Sequence, residues 1–258
     1  MILVVHLASV SGLCQQQQII TDIASTTSYE AGKTLIEKIN QFTKSLESKR
    51  SNSDIRFLRK VFYETHHRFL KKYEAYSSLD QLVYNGQYDC LTATTVYSSV
   101  LEMLGFDFKI VETNYHIFIL VKISNKEILL ETTDHLNGFV TDLASINTRI
   151  STYKSNAPAV NNQKGKSFEY SFHLLKEVKK ADLAGLLYFN QAIKEFNKHN
   201  WTACLDLLGK SRTIYDSPRI KEISELAKLM ITQDVSDEIL ANKGELKTGN
   251  GTKINPSY

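Results

Sequence analysis

Cysteine, proline, glycine and surplus charge are all scarce in this 258-residue chain. Its 3 Cys, at positions 14, 90 and 204, exclude a disulfide-rich scaffold and any multi-thiolate zinc site. With 3 Pro and 11 Gly, long stretches are free to be helical. Lys and Arg number 31 against 28 Asp and Glu, and the resulting +3 is spread with no dense run. A nucleic acid or an anionic membrane would want a basic stripe, so neither partner is expected. No apolar run is long enough to cross a bilayer as a helix, so no stable membrane span is expected. Gly249-Asn250-Gly251 has no strand before it and no helix after it, so no nucleotide is expected. His66-His67 sits mid-helix without a third ligand at metal spacing. No metal and no cofactor are expected. What is present is ordinary globular material: 42% hydrophobic and 23% charged residues, enough for a core without covalent staples.

Ile2 to Ala8 is a short apolar run, followed by small residues and then Gln15 to Gln18. Its length suits the core of a secretory signal, although no Lys or Arg precedes it. Residues 1–14 are therefore expected to be a signal peptide, with Gly12 and Cys14 at the small positions before cleavage, and the protein to be periplasmic or secreted. The alternatives are a cell-surface lipoprotein carrying its lipid on Cys14, against which bulky Leu13 stands, and a buried N-terminal strand. Export would leave Cys90 and Cys204 able to pair.

Leu35, Ile39, Phe42 and Leu46 mark a helix over residues 30–48. Ser51-Asn52-Ser53 breaks it, and Ile55, Leu58, Phe62, Thr65, Phe69 and Tyr73 form the stripe of a second helix. A third runs from Asp89 to Leu104, with Gly105 placed to end it. Phe106, Phe108 and Ile110 then alternate, Ile117–Val121 and Ile128–Leu130 are apolar runs, and Asn125-Lys126 separates these two as in a hairpin. An antiparallel sheet of at least three strands is expected. Residues 155–166 read as a polar loop, and Phe168, Tyr170, Phe172 and Leu174 as a last strand. From 181 the chain is helical again, with Pro218 ahead of a third helix of this region; residues 243–258 read as a disordered tail.

A thiol nucleophile needs a depressed pKa, a base in reach and a group that orients the base. Cys90 opens the third helix with Asp89 placed to cap it, where the helix dipole favours thiolate. His116 opens the central apolar strand, a place where a side chain can face a cleft. A tight hairpin sets residue 116 opposite roughly 134, with 131 a few residues off. Spacing alone leaves Glu131 and Asp134 as rival partners of the imidazole.

Tyr88-Asp89-Cys90 at a helix start, Tyr115-His116-Ile117-Phe118 at a strand start and Leu130-Glu131-Thr132-Thr133 at the end of the next resemble the transglutaminase-like (papain-like) cysteine superfamily. The family order is Cys, His, then an acid heading an Asp-Pro-Thr-like triplet. The resemblance spans roughly residues 54–140 and implies Glu131 as the orienting acid. Here Glu stands for the usual Asp, Thr132 for the common Pro, and Tyr88 for the common Gly. It further implies Gln87, with Asn85 beside it, as an oxyanion candidate; the plainer reading makes Gln87 a turn residue after Gly86. Tyr188, Asn190, Ala192, Trp201, Cys204, Leu208 and Ser211 resemble a single tetratricopeptide unit, which cannot bury its own face and would pack on the core or on a protein partner.

The expected fold is α+β: a papain-like core of one helix on an antiparallel sheet, an N-terminal helical hairpin and a C-terminal helical segment. The expected organisation is a transglutaminase-like domain with its hairpin over 23–154, the loop over 155–166, and the last strand with the tetratricopeptide-like helices over 167–242. The resemblance implies an exported enzyme that cleaves or transfers an amide-linked acyl group of a peptide or protein through Cys90, His116 and Glu131. The alternative is an inert fold that binds a peptide or protein.

Overall fold

The computed structural model describes residues 26–51, 53–155 and 170–242, the last eight of these by backbone alone. The expected signal peptide over 1–14, the loop beyond residue 155, Phe168, Gly249-Asn250-Gly251 and the tail over 243–258 lie outside the described residues.

Helices α1 (Tyr29–Glu47) and α2 (Asp54–Phe69) stand where a hairpin was expected, but both lie against the helix over Cys90–Met103 more than against each other. Ser28 and Ser53 cap them by accepting from the N–H groups of Ala31 and Arg56, and Leu35, Ile39, Phe42, Leu46, Phe57, Leu58, Val61 and Phe62 turn inward. Helix α2 ends earlier than its stripe suggests. Leu70 turns extended, and Tyr73 lies in the short strand β1 (Lys72–Tyr73), which pairs in parallel with β2 (Gln87–Tyr88). Between them a capping box at Ser78 starts a short helix, α3 (Leu79–Asn85), a stretch to which the sequence analysis assigns no element.

Helix α4 (Cys90–Met103) is buried at every position from Cys90 to Leu101. Hydroxyls inside such a helix need partners, and they find them in its own backbone: Thr95 donates to the Leu91 carbonyl at 2.9 Å and Ser99 to that of Thr95 at 2.9 Å. Gly105, at φ 73°, ends it as expected, with the Phe106 N–H returning to the Leu101 carbonyl at 3.0 Å.

The sheet has five strands in the order β6-β5-β4-β3-β7, antiparallel throughout: β3 (Asp107–Thr113), β4 (Ile117–Ile123), β5 (Lys126–Leu130), β6 (Phe139–Val140) and β7 (Leu175–Val178). Alternation gives it two apolar faces. Ile117, Ile119, Val121, Ile128 and Leu130 join the main core beneath α4, whereas Phe118, Leu129 and Val140 pack on Ile146 of helix α5 (Leu143–Lys154). The turn joining β4 to β5 is Ser124-Asn125, and Lys126 already belongs to β5. The last strand is also displaced. Tyr170, Phe172 and Leu174 precede it rather than form it, because Tyr170 and Phe172 pack with Tyr115 and the C-terminal helices.

Helices α6 (Leu183–Asn197), α7 (Trp201–Ile214) and α8 (Pro218–Asn242) follow a single 3₁₀ turn at Lys180–Asp182. Gly185 lets α6 and the end of α7 touch, since a Cβ there would lie 2.5 Å from that of Tyr215, and Ser211 Oγ donates to its carbonyl at 2.7 Å. Phe189, Ala192, Phe196, Trp201, Cys204 and Leu208 bury themselves between these helices, and α6 lies against α4. No helix among the described residues is long and apolar enough to cross a membrane.

Candidate active site

Cys90, His116 and Glu131 each sit at the end of a regular element, whereas Asp134 lies in the loop between β5 and β6. Cys90 is the first residue of α4, and Asp89 caps it by accepting from the Thr92 N–H and hydroxyl, each at 2.8 Å. The other oxygen of Asp89 accepts from the Asn190 amide of α6 at 2.5 Å. His116 ends a tight turn in which the Thr113 N–H donates to its carbonyl at 2.7 Å and its own N–H donates to Thr113 Oγ1 at 3.0 Å. Glu131 leaves β5 just after the Ile119–Leu130 pair. Its N–H donates to the Gly138 carbonyl at 2.8 Å, and the Gly138 N–H to that of Asp134 at 2.7 Å, so the chain doubles back at once.

Glu131 meets His116 through a short contact between Oε2 and Nε2. Its Oε1 accepts from the Thr133 hydroxyl at 2.7 Å and N–H at 3.3 Å, and Tyr153 of α5 donates to Oε2 at 2.8 Å. Burial alone would raise this carboxyl, but the opposing charge of His116 and the donated bonds outweigh it and hold the group down to about 2. A carboxylate at Nε2 makes that nitrogen the N–H donor and leaves Nδ1 as the basic nitrogen of the neutral ring. Asp134, the rival acid, accepts from the Asn137 N–H at 2.8 Å and pairs with Arg149 at 3.4 Å. Glu131 is the carboxylate at His116.

Cys90 and His116 line one cavity of about 20 Å³, room for about one water. Ile117 and Glu112 of the sheet, Phe189 and Asn190 of α6, and Arg219 of α8 close it. Cys90 is 1% exposed, with its sulfur against the Ile117 N–H. Here the expectation from the helix dipole is reversed. Burial pushes the thiol well above its ordinary range, the charges of Asp89 and Glu131 add to this, and the Ile117 N–H and Arg219 only partly oppose it. Gln87 is not in the cavity: it accepts from the Asn85 amide at 3.2 Å, and the side-chain amide beside Cys90 is that of Asn190.

Behind the cavity lies a buried ion pair. Arg219 donates to Glu112 at 2.7 Å and to the Asn114 carbonyl at 3.0 Å, its guanidinium lies 4.8 Å from the Phe189 ring centre, and Tyr215 donates to the other Glu112 oxygen in a short contact. Cys204 is buried in the C-terminal cluster, its thiol pushed up to about 12 by burial, and both it and Cys90 are free, so the pairing that export allows is not formed here. His66 stacks on His135 at 4.9 Å, and no group of three His, Cys, Asp or Glu suited to a metal occurs among the described residues. Tyr153 and Arg219 were not singled out from sequence, and Asn190 was read only as part of the tetratricopeptide-like pattern. The one sequence signal was Glu112, a charged residue that continues the Phe106, Phe108, Ile110 alternation and so calls for a buried partner such as Arg219.

No family model matches this chain, and no curated protein matches it. Among solved structures, the crystal structure of menin, reported with its binding site for Mixed Lineage Leukemia protein, aligns with TM-score 0.35 and 13% identity. The alignment covers 86% of this chain and 58% of menin's, so the chain spans well under two thirds of that protein. A likeness this weak carries no argument.

Proposed function

We propose that the protein is a transglutaminase-like (papain-like) cysteine enzyme that cleaves or transfers amide-linked acyl groups of peptides or proteins, and that the form described here is closed. One observation carries the reading: His116, paired through Nε2 with Glu131, lines the same cavity as a cysteine at a helix N-terminus. The single helix buried on an antiparallel sheet, with Cys, His and acid in that chain order, supports the papain-like arrangement.

In the reaction, Cys90 Sγ bonds to the carbonyl carbon as its proton passes to His116 Nδ1. Glu131 stabilises the imidazolium, and the Cys90 N–H is the available backbone donor to the oxyanion. Collapse breaks the C–N bond, and the amine leaves with the proton from His116. Water or a second amine then releases the acyl group by the same steps in reverse. A cavity with room for one water admits no peptide, so Phe189, Asn190 and Arg219 must withdraw before substrate enters.

The test is alkylation of Cys90 by iodoacetamide in the full chain carrying Cys14→Ser and Cys204→Ser. Rapid labelling that His116→Ala slows at least about tenfold supports the enzyme. Labelling indifferent to His116 overturns it. The second reading, an inert fold that binds a peptide or protein through the cleft or the C-terminal helices, is favoured by the raised thiol and the narrow cavity, and it expects that second result.

A further inference from the structure

The motif residues do not account for every group that touches the His116–Glu131 pair. Helix α5 brings Tyr153 against both: its hydroxyl donates to Glu131 Oε2 at 2.8 Å, and its ring lies 4.5 Å from the imidazole and 5.3 Å from Phe118. Arg149 lies one turn earlier on the same helix face. Its guanidinium is an electrostatic neighbour of the Tyr153 hydroxyl and reaches Asp134 at 3.4 Å and the Asn137 carbonyl at 3.0 Å.

This arrangement meets a specific need. A glutamate has one more rotatable bond than the aspartate usual at this place in the resembled family, and its carboxylate swings through a wider arc unless both oxygens are held. Thr133 holds Oε1 from the same loop, while among the described residues only His116 and Tyr153 hold Oε2. His116 is the group to be positioned, so it cannot be its own fixed point. Tyr153 can, because it stands on a separate element that Arg149 ties to the turn at Asp134 and Asn137.

We propose that Tyr153, braced by Arg149, is a positioning residue that fixes the carboxylate of Glu131 and through it the orientation of His116. Its bearing on catalysis rests on the Cys90–His116–Glu131 reading; the positioning itself does not. Around the imidazole, the charged or titratable groups are Glu131 after β5, Tyr153 and Arg149 on α5, Asp89 and Cys90 at the head of α4, Glu112 on β3 and Arg219 on α8. Only Tyr153 among them shares Oε2 with His116.

The experiment follows the ring N–H proton of His116 by NMR in the full chain labelled with ¹⁵N-histidine, beside the rate of Cys90 alkylation in the Cys14→Ser, Cys204→Ser background. Tyr153→Phe keeps the ring and removes the hydroxyl. It is expected to broaden or erase the Nε2–H resonance, as the bond to Glu131 exchanges with water, and to slow alkylation about tenfold, the scale of one hydrogen bond to a charged group. Arg149→Gln should weaken the same resonance and Arg149→Lys should restore it, which a packing role would not require. An unchanged resonance in both Tyr153→Phe and Arg149→Gln overturns the proposal, and if the first does not fold, the Arg149 pair decides. If the resonance is lost while alkylation ignores His116→Ala, the positioning stands and the enzyme reading falls. If alkylation depends on His116 and the resonance does not move, the reverse holds.

Discussion

Glu131 approaches His116 at Nε2, the ring nitrogen that cannot then serve Cys90. The same oxygen accepts from Tyr153, and the other is held by Thr133. Asp134, only three residues on, is spent on Arg149 and the Asn137 N–H. Glu131→Gln can therefore present its amide nitrogen to Nε2 and favour the tautomer in which Nδ1 carries the proton, which disables the base. It should slow Cys90 alkylation at least about a hundredfold, whereas Asp134→Asn should change it less than about threefold. Parallel rate measurements on the two variants decide this; a larger effect from Asp134→Asn means that the acid has been misassigned.

Acid should destabilise the protein through Glu131. The folded carboxyl lies near 2, below the unfolded value of about 4.3. The stability it contributes is therefore fully present above the unfolded value and is lost as pH falls from there through the folded one. Urea midpoints measured from pH 6 down to pH 2 should fall more steeply for the parent than for Glu131→Gln, which has no proton to take up. Parallel curves would show that the pair contributes nothing to this dependence.

Gly138→Ala should damage both fold and site. A Cβ at 138 would lie 2.2 Å from the Glu131 carbonyl oxygen and 2.3 Å from that of Asp134, both backbone atoms that cannot swing aside. The loop must open, at a cost of about 1–3 kcal/mol, and Glu131 moves with it. Urea denaturation should report the loss, and the His116 N–H resonance should shift even where the variant remains folded. Wild-type stability in Gly138→Ala would contradict the geometry.

Arg219→Ala leaves Glu112 buried without its cation, a loss that in other buried pairs costs about 3–5 kcal/mol. The pair joins α8 to β3 across the Cys90 cavity, so part of the loss should appear as local opening. In urea too dilute to unfold the chain, Cys90 should label faster in Arg219→Ala than in the parent, while Cys204→Ser controls exclude the other described thiol. Equal labelling would mean that the helices do not gate the thiol.

Much of this architecture could be read from apolar spacing. The stripes of α1, α2 and α4 and the runs of β4 and β5 are strong because one face, or all of the helix, is buried. Cys90, His116 and Glu131 were legible because each stands at the boundary of such an element. Helix α5 was not: it buries only Ile146 and carries β-branched residues, so it offers no stripe, yet it delivers Tyr153 and Arg149. β1, β2 and β6 are two residues each, too short for alternation to show. The run at Tyr170, Phe172 and Leu174 misled because aromatic packing on the helices mimics the period of a strand. The raised thiol was invisible for another reason: Phe189, Asn190 and Arg219, which help to bury it, come from helices far downstream, and helix position alone says nothing of them.

Strand β7 enters the sheet at its edge beside β3, and it comes from the far side of residues 156–169. What joins the two halves of the molecule is therefore a ladder of backbone hydrogen bonds and a shared apolar seam, rather than the covalent thread. Tyr76 and Tyr115 from the first half are buried in the same cluster as Phe189 and Trp201 from the second. A chain cut between residues 155 and 170 should thus behave as a two-fragment complex that stays together on gel filtration and comes apart with a concentration-dependent midpoint. Peptide-bond continuity would turn out to be dispensable for the assembled form, and association would become a quantity that can be titrated.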